Sequence, residues 1–126
     1  MKTSEMVFEY LKEQGFCPKV DEDGDIVFKF QMLTFVYFED DDDERFFRFG
    51  MPNIFQVTDD NRMMVLEAVN ELNTMIKVVK AFVVRNSVWL STESLLDGTP
   101  QLDDIVPRLL DILFHARLKF AQLIEE

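Results

Sequence analysis

The most constraining feature of this sequence is a long segment near its carboxyl end that is nearly all apolar outside one narrow polar stripe. From roughly Asp103 to Glu125, polar side chains recur at intervals of 3, 4, 4, 3 and 4 residues, the spacing of one face of an α-helix. The stripe comprises Arg108, Asp111, His115, Lys119, Gln122 and Glu126. A helix packed on a sheet needs an apolar arc only a little over ~100° wide. The arc here is wider, so we expect a second surface to cover it, either another helix of the same chain or a partner subunit.

The ends of the helices carry their own signals. A first helix is predicted from Thr3 to Gln14, with Gly15 as its left-handed terminator. A second helix is predicted to begin near Thr58–Asp60, which offers capping oxygens. Its inward stripe is predicted to be Val65, Leu66, Val69, Leu72 and Ile76, with Glu67, Asn70, Glu71 and Asn73 facing water. In the last helix, Asp103 or Asp104 is expected at the cap and Pro107 in the first turn, where a missing N–H costs nothing.

Between the helices the sequence reads as strands. The predicted strands are Pro18 to Val20, Ile26 to Gln31, Leu33 to Phe38, Arg45 to Met51, Lys77 to Arg85 and Val88 to Glu93. The first is expected at an edge because its proline cannot donate to a ladder. Pro52 is expected to close the fourth strand. The segment Lys77 to Arg85 is predicted to be a central strand, since it has little polar character on either face.

This order of elements defines a fold class. Strands joined by short hairpins favour a mostly antiparallel sheet with helices packed on it. We therefore predict an α+β fold with an antiparallel sheet of about five strands and three helices, in the order α-β-β-β(-β)-α-β-β-α. At 126 residues the chain has the size of one domain, so residues 1–126 are expected to form a single α+β domain.

Charge excludes several classes of function. The formal net charge is −11, so nucleic-acid phosphates and anionic membranes would be repelled, and we expect neither as a partner. The amino terminus shows no apolar run, which predicts no signal peptide. The lone cysteine, Cys17, rules out an internal disulfide and fits a reducing cytoplasm. We expect a cytoplasmic protein.

Two acidic runs could suggest metal binding, but their geometry does not favour it. Asp21–Asp25 lacks the sixth-position glycine and twelfth-position glutamate of an EF-hand loop, and Asp23–Gly24 favours a tight hairpin turn instead. Glu39–Glu44 holds six consecutive acids, which usually repel one another and remain a solvated connection. No metal-ligating residue is assigned.

The remaining reactive side chains also have simpler interpretations. His115 follows Asp111 by one turn, which resembles a base with an orienting carboxylate but is more typical of an exposed i, i+4 pair. Cys17, between Phe16 and Pro18, is expected to be a small buried thiol rather than a nucleophile. Neither a nucleophile elbow nor a phosphate-binding glycine loop occurs. We assign no catalytic residue and no cofactor, and expect no enzyme.

Phenylalanines crowd the first sheet region and alternate onto both faces. They are Phe28, Phe30, Phe35, Phe38, Phe46, Phe47 and Phe49. A sheet covered by helices on one side only would leave part of this set exposed, and exposed apolar surface of that size typically marks a groove or an interface.

These elements together resemble a known family. The first helix has Phe8-x-x-Leu11-x-x-x-Gly15, a strand pair lies around Ile26 to Phe38, and Val78 to Leu90 forms a second hairpin. The final helix continues from Asp103-x-x-Val106. In order and pattern the chain resembles the type III secretion chaperone-like fold, and within it the YbjN-like bacterial proteins.

The resemblance implies a non-enzymatic module, chaperone-like or regulatory and often dimeric, that binds a protein or peptide partner through exposed apolar sheet and helix surface. Strand addition to a sheet edge or a hydrophobic groove is the expected mode. A homodimer is one expected assembly. The alternative is a small-molecule-binding or enzymatic domain with a pocket between the sheet and the C-terminal helix, in which Asp111 and His115 supply polar groups.

Overall fold

The computed structural model describes residues 2–125, and within them the chain forms three helices and six strands in the order α-β-β-β-β-α-β-β-α. The helices are α1 Thr3–Glu13, α2 Arg62–Met75 and α3 Leu102–Glu125. The strands are β1 Lys19–Val20, β2 Ile26–Phe30, β3 Leu33–Tyr37, β4 Phe46–Gln56, β5 Val79–Val84 and β6 Ser87–Leu95. The predicted class and element order are confirmed, with six strands where about five were expected. Glu126 of the predicted polar stripe lies outside the described residues.

The six strands form one antiparallel sheet in the order β1-β2-β3-β4-β6-β5. Its edges are β1, as predicted, and β5. The prediction that Lys77 to Arg85 is a central strand is wrong, because the long strand β6 pairs with β4 and leaves β5 outside. The apolar residues of β5 pack on both faces instead, since α2 lies against the strand and Phe82 contacts Trp89 on the other side.

One face of the sheet, here called the core face, packs against all three helices in a single apolar core. Along β4, Phe47, Phe49 and Met51 are buried while Phe46 and Arg48 alternate to the other side, as predicted. The core-face side chains of the other strands include Ile26, Phe28, Phe35, Tyr37, Val79, Ala81, Val88 and Leu90.

Strand β4 does not stop where its proline predicted. It continues through Pro52 to Gln56, and its pairing with β6 shifts register between Met51 and Phe55. A bulge is one of the few places in a sheet that tolerates a residue without an N–H, and Asn53 takes the positive φ of 53° there. The proline therefore marks a bend within the strand.

Helix α2 begins later than predicted, at Arg62. Thr58 and Asn61 first form a turn, in which the Thr58 N–H donates to Asn61 Oδ1 at 2.7 Å and the Asn61 N–H donates to Thr58 Oγ1 at 3.3 Å. The buried stripe is Val65, Ala68, Val69 and Leu72. Leu66 was predicted to face inward but is exposed. The buried residues recur at intervals of 3, 1 and 3, which is the spacing of one helix face, and Ala68 rather than Leu66 lies on that face.

Helix α3 starts at Leu102, so Asp103 lies inside the first turn and Pro107 is the sixth helical residue rather than a first-turn residue. A non-proline residue there would donate to the Asp103 carbonyl, so the proline removes one bond of the helical ladder. The helix buries Val106, Leu109, Leu110, Leu113, Ala116 and Phe120. Helix α2 packs beside it, so a helix of the same chain covers much of the wide apolar arc, and Leu118 remains exposed. None of the helices in the described part of the chain has the length and apolar character needed to cross a bilayer.

Candidate functional site

A groove of about 690 Å³ lies between α1 and the β1–β2 hairpin, and we call it the α1–β1 groove. Its apolar lining comes from Phe8 on α1, Val20 on β1 and Ile26 on β2. Val20 is 60% exposed although it is a branched apolar residue on a strand. Its position suits an apolar contact with a bound chain.

The wall of the α1–β1 groove that α1 provides is acidic. Glu5, Glu9 and Glu13 follow one another at four-residue intervals, so each turn of the helix presents one carboxylate to the groove. Glu39 adds a fourth carboxylate, and Lys2 is the cation among the lining residues. The groove thus combines an apolar floor with a negative rim.

The end of α1 explains why β1 lies beside it. Gly15 has φ of 87°, the Gly15 N–H donates to the Lys12 carbonyl, and the Phe16 N–H donates to the Leu11 carbonyl, both at 3.0 Å. This pair of bonds is a Schellman motif, which reverses the chain direction after a helix. The predicted role of Gly15 is confirmed, and the reversal forms the groove.

The acidic run Glu39–Glu44 was expected to be only a solvated connection, and this is wrong at its two ends. The Thr3 N–H donates to Glu44 Oε1 at 3.2 Å, and the Ser4 hydroxyl donates to Glu39 Oε1 at 3.0 Å. Lys2 at the cap of α1 makes no side-chain capping bond, so these distant carboxylates satisfy the first turn and complement the helix dipole. The Lys2 ammonium lies 3.5 Å from Asp41, which raises the pKa of Lys2 above its ordinary value.

The turn between β1 and β2 is the predicted hairpin. Gly24 has φ of 88°, and Asp21 Oδ1 accepts the N–H groups of Asp23 and Asp25 at 2.9 and 3.0 Å. The carboxylates of Asp21, Asp23 and Asp25 lie within 4.8 Å of one another. Burial, followed by the neighbouring carboxylates, raises the pKa of Asp25, while its Oδ1 accepts the Glu39 N–H at 2.9 Å. These bonds account for the acids as turn-forming residues.

The two sheet edges differ in how their outward backbone groups are satisfied. Because Asp21 N–H donates to the Asp25 carbonyl at the hairpin end, alternation points the N–H and C=O of Val20 away from β2. On β5 the same alternation points the groups of Val79, Ala81 and Val83 outward, and the side chain of Asn73 binds both groups of the middle residue, Ala81. Asn73, predicted to face only water, receives the Ala81 N–H at 2.9 Å and donates to the Ala81 carbonyl at 3.0 Å. Within residues 2–125 no side chain does this for Val20.

The face of the sheet opposite the helices carries an aromatic layer. Phe38 stacks on Trp89 with ring centroids 6.0 Å apart, and Trp89 lies 6.4 Å from Phe82. The Arg48 guanidinium lies 4.4 Å from the Phe38 ring centroid. Gly50 makes room for Phe38, since a Cβ at that position would lie 2.6 Å from the Phe38 ring. The phenylalanines on this face are therefore less exposed than predicted, because the aromatic rings of the layer pack against one another.

Asp111 borders a small cavity of about 270 Å³ that Phe30 of β2 and Leu110 of α3 also line. Asp111 and His115 do not, however, share a pocket between the sheet and the last helix, as the alternative hypothesis required. They line a different groove, of about 510 Å³, between the end of α2 and the polar stripe of α3. His115 Nδ1 lies 2.8 Å from the backbone carbonyl oxygen of Asp111. The hydrogen-bond partner of the ring is therefore this carbonyl, and the Asp111 carboxylate is not. The exposed histidine is thus oriented by its own helix, without a carboxylate partner.

Cys17 is exposed, which corrects the expectation of a buried thiol. Its neighbour Phe16 takes the inward position and packs 5.9 Å from both Phe28 and Phe30. With φ of 51°, the backbone at Cys17 turns its side chain outward.

Sequence reasoning did not assign the acidic wall of α1. The signal was present, since three glutamates recur at the helical spacing beside Phe8. What the spacing could not reveal is that Val20 and Ile26 would lie opposite this helix face, because that depends on how the chain reverses after Gly15.

These features define a small α+β binding module: a helix-backed antiparallel sheet with one bare edge beside an apolar groove. Residues 2–118 match the family TY-Chap1, described as T3SS (YopN, CesT) and YbjN peptide-binding chaperone 1, and the chain belongs to this family. The resemblance drawn from the sequence is confirmed.

The fold has a solved counterpart. The crystal structure of YbjN from E. coli superimposes with a TM-score of 0.71 at 9% sequence identity, covering 94% of this chain and 88% of that one. At this identity the likeness establishes the fold alone. No curated protein sequence matches the chain.

Proposed function

We propose that this protein is a non-enzymatic, chaperone-like module that binds an extended segment of a client polypeptide in the α1–β1 groove. Membership of a peptide-binding chaperone family supports a polypeptide ligand. The single observation that carries the choice of site is the bare edge at Val20, whose outward backbone groups and exposed side chain adjoin the apolar groove floor.

The binding mode follows from this geometry. A client strand laid along β1 gains backbone hydrogen bonds at Val20, and every second side chain of the client then points toward the floor formed by Phe8 and Ile26. Because β1 has only two residues, the backbone bonds are few and the groove contacts supply most of the affinity.

The charge of the groove selects the client. Glu5, Glu9, Glu13 and Glu39 favour lysine and arginine at the client positions that face the rim, and the net charge of −11 attracts such a segment at long range. The preferred client is therefore a segment in which apolar and basic residues alternate.

The test uses synthetic peptides and the purified full chain. A twelve-residue peptide of alternating Val and Lys should bind in a fluorescence anisotropy titration, while Val–Glu and Ser–Lys peptides of the same length should not. Val20→Pro removes the outward N–H and should weaken Val–Lys binding about tenfold, whereas Val20→Thr keeps the N–H and should lose less. Circular dichroism confirms that both variants fold. Equal binding of the Val–Lys and Val–Glu peptides, or unchanged binding by Val20→Pro, would refute the proposal.

We further propose a cytoplasmic setting, which the single cysteine supports, and a bacterial origin, which the likeness to YbjN from E. coli supports. The homodimer expected from the resemblance stays a prediction. Sedimentation equilibrium of the 126-residue chain tests it directly.

A further inference from the structure

The α2–α3 groove, which lies between the end of α2 and the polar stripe of α3, is lined by more cations than acids. Lys77, Arg108 and Lys119 line it together with His115, and Asp111 is the one acid in the lining. The chain as a whole has 24 acids against 13 lysines and arginines, so this local balance is the reverse of the general one. Within residues 2–125 none of these three cations forms an ion pair with a carboxylate of the protein.

The interior of the same groove is apolar. Ile76 follows the last turn of α2, while Ile112 and Ala116 lie one turn apart on α3. Ile76 and Ile112 are half-buried and Ala116 is buried, so this floor is continuous with the edge of the core. A ligand seated there would cover aliphatic side chains while its charged group remained among the cations at the rim.

The orientation of His115 adds to this arrangement. Because the Asp111 carbonyl can only accept, the 2.8 Å contact requires a proton on His115 Nδ1. This bond turns the ring along the helix. The imidazole lies two turns after Arg108 and one turn before Lys119 on α3.

We propose that the α2–α3 groove binds a small anionic amphiphile, a carboxylate with an aliphatic body of medium chain length. The volume of about 510 Å³ lies in the range of small-molecule sites. The cations bind the carboxylate by charge-assisted hydrogen bonds, and Ile76, Ile112 and Ala116 contact the aliphatic body. This site is separate from the α1–β1 groove, so the two proposals stand independently.

The test is a titration of the ¹⁵N-labelled full chain with decanoate below its micelle concentration, followed by NMR. Saturable shifts of the Ile112 and Ala116 amides are expected, and decanol and decyltrimethylammonium should bind at least tenfold more weakly. The double variant Arg108→Gln and Lys119→Gln should weaken decanoate binding about tenfold, and added salt should weaken it in the wild type. Arg117→Gln, on the same helix but outside the groove lining, is a control for the loss of one positive charge and should bind like the wild type.

Two results would overturn the proposal. One is binding of decanol as tight as that of decanoate, which would make the site merely apolar. The other is a double variant whose melting temperature falls while its decanoate affinity is unchanged, which would mean that the cations only stabilise the carbonyl end of α2.

Discussion

Both edges of the sheet have backbone N–H and C=O groups that point outward, but the two edges differ in whether a side chain of the protein binds them. At β5, the outward N–H and C=O of Ala81 are both bound by the side chain of Asn73 on α2. At β1, the equivalent groups of Val20 have no such partner within residues 2–125, and the side chain of Val20 is exposed beside the α1–β1 groove. The β5 edge is closed at its middle, at Ala81, by the protein's own helix, and the β1 edge is left open at Val20.

The difference follows from the length and composition of the two strands. β5 has six residues, mostly apolar, and an unprotected edge of that kind would pair with other chains. β1 has two residues, preceded by Pro18 and followed by the acids of Asp21–Asp25, which limit uncontrolled pairing. The short edge can therefore stay open for a selected client without a general risk of aggregation.

The largest expected effect breaks the sheet that joins the two edges. Gly50→Ala places a Cβ 2.6 Å from the Phe38 ring and 2.8 Å from the Leu90 carbonyl oxygen, and that oxygen belongs to the backbone. We expect the free energy of unfolding, measured by urea titration, to fall by about 3 kcal/mol. The clash is hard to relieve because β4 and β6 are paired with each other at this position. Gly98→Ala, whose Cβ meets nothing within 4 Å, is the control. A wild-type midpoint for Gly50→Ala would show that the centre of the sheet is looser than described.

The next effect opens the closed edge. Asn73→Ala removes two hydrogen bonds to Ala81 and should lower the free energy of unfolding by about 2 kcal/mol. It should also produce concentration-dependent self-association in size-exclusion chromatography, because the β5 edge is then free to pair. Asn70→Ala, an exposed position on the same helix, corrects for helix propensity. Identical behaviour of the two variants would mean that Asn73 does not protect the edge.

A smaller effect changes the charge of the open edge. The double variant Glu5→Lys and Glu9→Lys should weaken binding of the Val–Lys peptide about fivefold at low ionic strength, with the difference shrinking as salt is added. Glu67→Lys with Glu71→Lys makes the same change of net charge on exposed positions of α2, at the same spacing. If both pairs reduce affinity equally, net charge rather than the groove selects the client.

The smallest effect concerns the hairpin turn beside the open edge. The raised pKa of Asp25 means that the folded state holds this proton more tightly than the unfolded chain does. The charged carboxyl therefore lowers stability at neutral pH, and that loss is relieved as the pH falls through the folded pKa. Asp25→Asn keeps the acceptor for the Glu39 N–H and should raise the melting temperature by ~1–3 °C at pH 7, with no difference near pH 3. Asp59→Asn makes the same substitution at an exposed acid elsewhere and is the control.

The element order could be predicted because local patterns determine it. Alternation along β4, the Asp–Gly turn and the terminator at Gly15 each depend on residues close in sequence. The edge position of β5 could not be predicted in this way. Apolar residues on both faces normally indicate a central strand, whereas here Phe82 packs on Trp89 and Asn73 replaces the missing neighbour strand.

Less of the candidate site than of the fold could be predicted from the sequence. A peptide-binding role followed from the resemblance, but the expected apolar surface of the last helix is covered largely by α2. The α1–β1 groove depends on the Schellman turn at Gly15, which brings Phe8 and Val20 to one surface. The cations of the α2–α3 groove come together only because Lys77 follows a helix packed against α3. Such juxtapositions are tertiary and leave no local signal.

The central claim is that the client binds at the open edge and not at the closed one. Intermolecular nuclear Overhauser effects from a bound Val–Lys peptide, with amide hydrogen exchange in its presence, test this most directly. The account predicts contacts to Phe8 and Ile26 together with new protection of the Val20 amide, while exchange at Ala81 stays unchanged. Contacts and added protection along Val79–Val84, with Val20 unaffected, would contradict it.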